Sequence, residues 1–177
     1  MAKTSAGLLM YRLRDGRLEV LLVHPGGPFW SRRDAGAWSI PKGELDDAED
    51  PLEAARRVFA EETGLRPEGP FIKLPTVRQK AGKVVHAWAV EGDWDPSLLR
   101  SNTFKIEWPP KSGQTAEFPE VDRAEFFDLA TAREKINAGQ VPLLDHLADA
   151  VTVHARQRNS GRARPDPLLD SPPSQGP

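Results

Sequence analysis

The segment from Gly43 to Leu65, GELDDAEDPLEAARRVFAEETGL, constrains the fold of this chain more than any other stretch. Asp50 is a suitable N-cap, and Pro51 suits the first position of a helix. Gly64 is suited to the left-handed conformation in which many helices end. These signals predict a helix from Pro51 to Thr63, roughly three and a half turns long.

The predicted helix has an acidic face. Each residue turns an α-helix by about 100°, so Glu61 and Glu62 lie beside each other and position 58 falls between them. Carboxylates on one helix face supply the hard oxygen ligands that Mg²⁺ prefers. The predicted Pro41-Lys42-Gly43 turn precedes this helix, and a Lys-Gly turn beside such a face is suited to a phosphate chain. The same periodicity directs an apolar side toward the core, with the residues Leu52, Ala55 and Phe59.

The spacing of the segment resembles the signature of the Nudix hydrolase family, in which a glycine is followed at fixed intervals by Glu, Arg-Glu, Glu-Glu and Gly. Val58 departs from this pattern, because the family usually has a glutamate there and valine offers no oxygen ligand. The resemblance spans residues 3–155 and implies an α/β fold, an α/β/α sandwich with a mixed sheet between helices. The matching residues are Gly43, Glu49, Arg57, Phe59, Glu61, Glu62, Gly64 and Leu65.

The resemblance also implies a metal site. Glu61 and Glu62 would be catalytic groups and metal ligands, joined by a backbone carbonyl near Gly43. A further carboxylate normally comes from a loop before the last strand; Glu117 and Glu120 are the candidates, and we favour Glu120. Mg²⁺ is the expected cofactor, with Mn²⁺ as an alternative. The family also implies that Glu49 and Arg57 brace the turn against the helix, and we count Arg57 among the catalytic residues.

The implied activity is Mg²⁺-dependent hydrolysis of a pyrophosphate linkage in a nucleoside diphosphate derivative. The stretches SAGLLMYR, GAWSIPKGE and FPEVDRAEFFDL resemble a bacterial subgroup of predicted NTP pyrophosphohydrolases. A more distant similarity to diadenosine-polyphosphate hydrolases makes dinucleoside polyphosphates and NTPs candidate substrates. ADP-ribose, capped RNA ends and diphosphoinositol phosphates stay open. Because of Val58, the alternative is a nucleotide-binding Nudix module with weak or lost catalysis.

Other residues are candidates for substrate contacts. Lys42, beside the predicted metal turn, could meet a phosphate. The predicted hairpin further along the chain brings three more candidates, Lys80, Lys83 and His86, although lysines at strand ends are more often simply solvated. Four tryptophans are candidates for base stacking, although tryptophan more often packs in cores or anchors loops: Trp30, Trp38, Trp88 and Trp108.

Composition narrows the class of protein. The chain has 24 Lys plus Arg against 26 Asp plus Glu, a net charge of −2, which does not favour a protein that coats nucleic acid. It has no cysteine, which excludes disulfides and thiolate metal sites. It contains no apolar run of membrane-spanning length and no apolar core of a signal peptide. We therefore expect a cytoplasmic protein that does not engage a membrane and acts on a small-molecule nucleotide; its oligomeric state is not predicted.

The rest of the sequence predicts a mixed sheet and two terminal helices. Asp93–Pro119 is expected to be a long irregular stretch, of the kind that is often functional. Residues 158–177, rich in Pro, Ser and Arg, are expected to form a disordered tail outside the domain at residues 3–155. The predicted strands are Ser5–Leu13, Leu18–His24, Trp38–Ile40, Phe71–Arg78, Lys83–Glu91 and Glu125–Asp128, with an Asp15-Gly16 turn between the first two. The predicted helices are Ala130–Ile136 and Gln140–Gln157.

Overall fold

A six-stranded mixed sheet forms the centre of the structure, a computed structural model that describes residues 3–161 and the side chains of residues 3–153. The strands are β1 (Thr4–Arg14), β2 (Arg17–Pro25), β3 (Lys42–Glu44), β4 (Phe71–Arg78), β5 (Val84–Glu91), β6 (Thr103–Glu107), β7 (Thr115–Pro119) and β8 (Val121–Asp128). The helices are α1 (Pro51–Thr63), α2 (Leu129–Lys135) and α3 (Val141–Gly161). Short 3-10 turns lie at Lys80–Gly82, Pro96–Leu98 and Ala138–Gln140.

The strand order is β4-β5-β1-β2-β8, and β3 pairs with β1. The pair β1 and β5 is parallel, whereas the other pairs of this sheet are antiparallel. The hairpin β6–β7 forms a separate two-stranded sheet. The mixed sheet with helices confirms the predicted α/β class.

Apolar side chains cover both faces of the sheet. On one face, Leu9 and Leu22 pack in a cluster with Leu144 of α3. On the other face, Leu8 and Phe59 belong to a second cluster that packs α1 against the sheet. Strand β1 contributes to both clusters, because successive side chains of a strand point to opposite faces of the sheet. The result is the predicted three-layer arrangement of helix, sheet and helices.

The predicted helix has the predicted ends. The carboxylate of Asp50 accepts a hydrogen bond of 3.1 Å from the backbone N–H of Glu53. At the other end, Gly64 has a φ of 84°, a value that favours glycine because it has no Cβ. Asp15 and Gly16, both with positive φ, form the predicted turn between β1 and β2.

The chain around Pro41 differs from the prediction. Residues 38–40 form only isolated bridges, Val23 with Ser39 and Trp38 with Ile136. The strand lies instead at Lys42–Glu44, where a turn was expected. Gly7 of β1 makes this approach possible, since a Cβ on Gly7 would lie 2.5 Å from the carbonyl oxygen of Pro41.

Three further predictions are wrong in their limits. The stretch Asp93–Pro119 is not irregular throughout, because it contains the hairpin β6–β7. The last strand begins at Val121, earlier than the predicted Glu125. Helix α3 extends to Gly161 and so includes the first residues of the predicted tail, while residues 162–177 lie outside the described part.

None of the helices between residues 3 and 161 combines the length and the apolar composition of a membrane span.

Candidate metal and phosphate site

A pocket of about 260 Å³ lies where α1 meets β3 and the chain before β8. It brings together Glu61 and Glu62 of α1 with Glu120, the residue between β7 and β8. Glu120 therefore lies close to the helix glutamates, while its role as a metal ligand stays a prediction. The complete lining is Lys42, Gly43, Glu44, Asp46, Arg57, Val58, Glu61, Glu62, Asn102 and Glu120.

Backbone hydrogen bonds hold Glu120 at this pocket. The N–H of Asn102 donates to the carbonyl of Glu61 over 2.8 Å, and the N–H of Glu120 donates to the carbonyl of Asn102 over 2.9 Å. The carbonyl of Glu120 accepts from the N–H of Gly26, also over 2.9 Å. The end of α1 is thus connected through Asn102 to the candidate ligand.

Glu117, the other loop candidate, lies elsewhere. It is on β7, opposite Lys105 of β6, and its carboxylate accepts a hydrogen bond from the hydroxyl of Thr103. It does not line the acidic pocket. The geometry therefore favours Glu120 over Glu117.

Arg57 fastens the loop before α1 to the helix. Its Nε donates to one carboxylate oxygen of Glu49 over 2.9 Å, and its Nη2 donates to the other over 3.0 Å. Its Nη1 donates to Glu61 over 3.0 Å. The hydrogen bonds with Glu49 raise the pKa of the guanidinium and, in turn, lower the pKa of the Glu49 carboxyl. Such paired donation fixes the direction of both side chains, so Arg57 is placed to orient Glu61.

Glu62 is the most perturbed acid at the pocket. Burial raises its pKa to about 8, and repulsion by Glu120 and Glu61 acts in the same direction. The charge of Lys42 opposes this shift. Burial also lowers the pKa of Lys42, whose ammonium is attracted by Glu62 and repelled by Lys83. Burial and the neighbouring carboxylates thus favour the protonated form of Glu62, whereas a nearby cation would favour the ionised form.

The pKa of Glu62 predicts a pH dependence of stability. Between its ordinary value of 4.5 and about 8, the folded protein keeps a proton that the unfolded chain has lost. The free energy of unfolding of the metal-free protein should therefore fall as pH rises through this window. Urea unfolding in EDTA at several pH values should show this slope, and Glu62→Gln should reduce it. Equal slopes for the two proteins would contradict the assignment.

Val58 is buried beneath the candidate metal turn, with only 5% of its surface exposed. A Cβ added to Gly43 would lie 2.8 Å from Cγ2 of Val58, much closer than side chains normally approach. The lack of a side chain at Gly43 thus lets β3 pack directly on α1.

Gly43→Ala should therefore destabilise the fold by about 1–3 kcal/mol, because the new methyl overpacks this contact. Val58→Ala makes room for that methyl, so the double variant should lose less stability than the sum of the two single variants. Urea unfolding of all four proteins measures the coupling. Additive losses would show that the clash is not the cause.

Of the four residues predicted to contact phosphate, only Lys42 lines the acidic pocket. Lys83 is near enough that its positive charge helps to lower the pKa of Lys42. Lys80 and His86 do not line the pocket. The ring of His86 lies 3.4 Å from the hydroxyl of Thr76, and burial lowers its pKa.

Sequence reasoning missed Asn102 as part of the pocket. It lies in the stretch that was interpreted as irregular, far along the chain from α1. Its contribution here is its backbone, which links Glu61 to Glu120. A side-chain pattern carries no signal for such a backbone role.

The donor set of the pocket suits a hard divalent cation. Carboxylate oxygens and the carbonyl of Gly43 are oxygen ligands of the kind that Mg²⁺ takes. Glu61 and Glu120 repel a negative charge on Glu62, and a bound cation would relieve this repulsion. Among the described residues, no three His, Asp or Glu side chains are already grouped closely enough to hold a metal ion.

Comparison with known proteins places these observations in a family. Residues 2–147 match the family model of the NUDIX domain. The octanoyltransferase of Myxococcus xanthus is 33% identical over 101 residues, which are 57% of this chain and 25% of that protein. The RNA pyrophosphohydrolase of Bartonella henselae is 34% identical over 68 residues, 36% of each chain. The match thus spans only about a quarter to a third of these relatives.

Solved structures share the fold. The NUDIX domain of Shewanella oneidensis NrtR, complexed with ADP ribose, has a TM-score of 0.60 at 18% identity, covering 85% of this chain and 89% of that one. An Ap4A hydrolase of C. elegans has a TM-score of 0.59 at 23% identity, covering 84% and 98%. The family match over most of the chain agrees with the mixed sheet and the glutamates of α1: this chain belongs to the Nudix family.

Proposed function

We propose that this protein hydrolyses a pyrophosphate linkage in a nucleoside diphosphate derivative, with Mg²⁺ or Mn²⁺ at the acidic pocket. The observation that carries the proposal is the convergence of Glu61, Glu62 and Glu120 on one pocket beside the ammonium of Lys42. Negative ligands for a cation next to a positive group for a phosphate oxygen suit a charged phosphoanhydride.

The residues have separate roles in this proposal. Glu61, Glu62, Glu120 and the carbonyl of Gly43 would hold the cation. Arg57 orients Glu61 and fixes the preceding loop, which makes it a positioning residue. When bound, a divalent cation neutralises the phosphate oxygens and assists attack by water.

The names of similar proteins support a proposal for the substrate class. Two names among them, RNA pyrophosphohydrolase and Ap4A hydrolase, describe proteins that act on nucleotide anhydrides. We propose NTPs, dinucleoside polyphosphates and the 5′ ends of RNA as the first candidates, with ADP-ribose next. A cytoplasmic location stays a prediction from the sequence.

A nucleotide-binding module without turnover is the second candidate, and Val58 favours it. This residue is apolar and buried where the family usually has a carboxylate. The pocket would then bind a cation and a polyphosphate, yet lack a group that the reaction needs.

A substrate panel tests the proposal. The protein is incubated with Mg²⁺ or Mn²⁺ and ATP, diadenosine tetraphosphate, ADP-ribose or 5′-triphosphorylated RNA, and the products are separated by chromatography. Metal-dependent cleavage of an anhydride supports hydrolysis, and water labelled with ¹⁸O identifies the phosphorus that is attacked. Binding without product from any substrate would instead support the module.

A further inference from the structure

We infer that an aromatic surface formed by Phe29, Trp30 and Trp108 binds a nucleobase that lies beyond the cleaved anhydride, on the far part of a long substrate. This inference rests on the proposed function and deepens it. It assigns the protein to substrates with more than one nucleoside, in preference to simple nucleoside triphosphates.

Two neighbouring residues of one loop, Phe29 and Trp30, and the partly exposed Trp108 of the hairpin present aromatic rings at the surface. Phe29 is 64% exposed and Trp30 is 38% exposed. The rings of Phe29 and Trp108 are 5.6 Å apart at an angle of 84°, an edge-to-face contact. Single exposed apolar residues are common, but adjacent ones are typical of binding sites. None of the three residues belongs to either core cluster.

The other three tryptophans, Trp38, Trp88 and Trp94, belong to the core clusters or pack against them. Trp38 is 1% exposed and belongs to the core. Trp88 packs against the α1 side of the sheet, and the ammonium of Lys73 lies 4.6 Å from its ring centroid. The rings of Phe29, Trp30 and Trp108 are therefore the better candidates for stacking on a base.

The loop that carries Phe29 and Trp30 is held firmly. Nε2 of the buried His24 lies 2.6 Å from the carbonyl oxygen of Arg33; because a carbonyl only accepts, this nitrogen donates. Asp34 accepts from the indole N–H of Trp38 over 2.8 Å and also pairs with Lys135. A loop that is fixed before binding loses little conformational entropy when a ligand arrives.

The two segments that carry the aromatic surface, the loop after β2 and the hairpin β6–β7, both begin next to the acidic pocket. The loop leaves β2 at Gly26, which is hydrogen-bonded to Glu120. The hairpin β6–β7 follows Asn102, another residue of the pocket. Trp108 stands six residues along the chain from Asn102, a path of about 20 Å at the rise of a strand. This path is the longest possible separation, so a base at Trp108 lies within about 20 Å of the pocket lining at Asn102.

Positive charges accompany the rings. The guanidinium of Arg33 lies 5.4 Å from the ring centroid of Trp30, and Arg32 and Lys111 are exposed nearby in sequence. Aromatic platforms with cations that follow a phosphate backbone are the common means of binding unpaired nucleotides. The neighbouring Asp34 is neutralised by Lys135. The net charge of −2 does not oppose this local pattern.

Two sources could supply such a base: the second nucleoside of a dinucleoside polyphosphate, or a later nucleotide at the 5′ end of RNA. The test compares Phe29→Ala and Trp108→Ala with wild type on ATP, diadenosine tetraphosphate and a 5′-triphosphorylated hexaribonucleotide. Loss of one stacked base should raise the KM for a long substrate, relative to that for ATP, about tenfold. The long substrate that shows the effect identifies the source.

Leu13→Ala is the matched control, because Leu13 is also a large exposed apolar residue, 58% exposed, at the end of β1. Phe29→Tyr, which keeps an aromatic face, should restore the wild-type KM ratio. Ratios within twofold of wild type for both long substrates in Phe29→Ala and Trp108→Ala would overturn the inference.

A binding measurement separates this inference from the hydrolysis proposal. In EDTA, fluorescence anisotropy of a labelled 5′-hydroxyl hexaribonucleotide and calorimetry of diadenosine tetraphosphate report affinity without turnover. A tenfold loss of affinity in Phe29→Ala for either ligand supports the aromatic surface even if no substrate is cleaved. Unchanged affinity for both ligands, or no binding of either by wild type, would contradict it.

Discussion

Replacing Glu62 by glutamine should lower the rate of pyrophosphate hydrolysis by roughly a thousandfold or more, equivalent to about 4 kcal/mol of barrier. Glutamine keeps the size of the side chain but removes the charge that would attract a divalent cation. Glu62 lines the pocket with Glu61 and Glu120, so a neutral amide at this position would leave the cation with one anionic ligand fewer. Initial rates at saturating Mg²⁺ and substrate measure the effect.

Glu117→Gln provides the matched control for this prediction. Glu117 is a carboxylate near Glu120 in sequence, but it lies on β7 and does not line the pocket. Its replacement should change the rate less than twofold. The thermal stability of Glu62→Gln should be equal to or above that of wild type at pH 8, since the variant lacks a buried charge. A Glu62→Gln enzyme within tenfold of the wild-type rate would remove Glu62 from the mechanism.

Val58→Glu should produce the second large effect, a loss of stability in the absence of metal that metal largely reverses. Val58 is 5% exposed, so a new carboxylate there is desolvated and repelled by the neighbouring acids. The metal-free variant should lose about 2–4 kcal/mol of unfolding free energy. Excess Mn²⁺ should restore much of this loss, because a ligand that binds only the folded state stabilises it. Turnover should rise at least tenfold if the native protein is a weakened enzyme.

Val58→Gln separates the charge of the new side chain from its shape. It has nearly the same volume as glutamate, yet it should show neither the metal-dependent recovery of stability nor the gain in turnover. Urea unfolding with and without Mn²⁺, together with initial rates, decides the point. If Glu and Gln at this position behave alike, the side chain at position 58 does not reach the cation, and Val58 loses its significance for catalysis.

The parts of the fold with local signals were predictable. Helix α1 begins at the Asp50 cap and ends at Gly64 because those residues satisfy or relax the backbone at the two ends. The turn at Asp15-Gly16 similarly depends on residues that accept positive φ. These interactions span only a few residues, so the sequence nearby contains the whole cause.

The parts that depend on distant partners were not predictable. Strand β3 forms because Gly7, far away in sequence, leaves room for the backbone near Pro41. The hairpin β6–β7 is a different case: both strands alternate exposed and partly buried side chains, a period-2 signal that the sequence interpretation overlooked. Its apolar face is completed by contacts such as that of Trp108 with Phe29.

The candidate site shows the same division. Glu61 and Glu62 follow from the helix, and Glu120 follows from the order of elements that the family resemblance implies. The link through Asn102 and the contact of Val58 with Gly43 could not be predicted from the sequence, since each joins segments that are distant along the chain.

Anomalous diffraction from crystals soaked in Mn²⁺ tests the central claim, that the glutamates of α1 and Glu120 hold a divalent cation. The account predicts an anomalous peak in the acidic pocket, about 2 Å from carboxylate oxygens of Glu61 or Glu62. Crystals of Glu62→Gln should lose the peak or show it strongly weakened. Well-ordered wild-type crystals with no manganese at these glutamates would contradict the account.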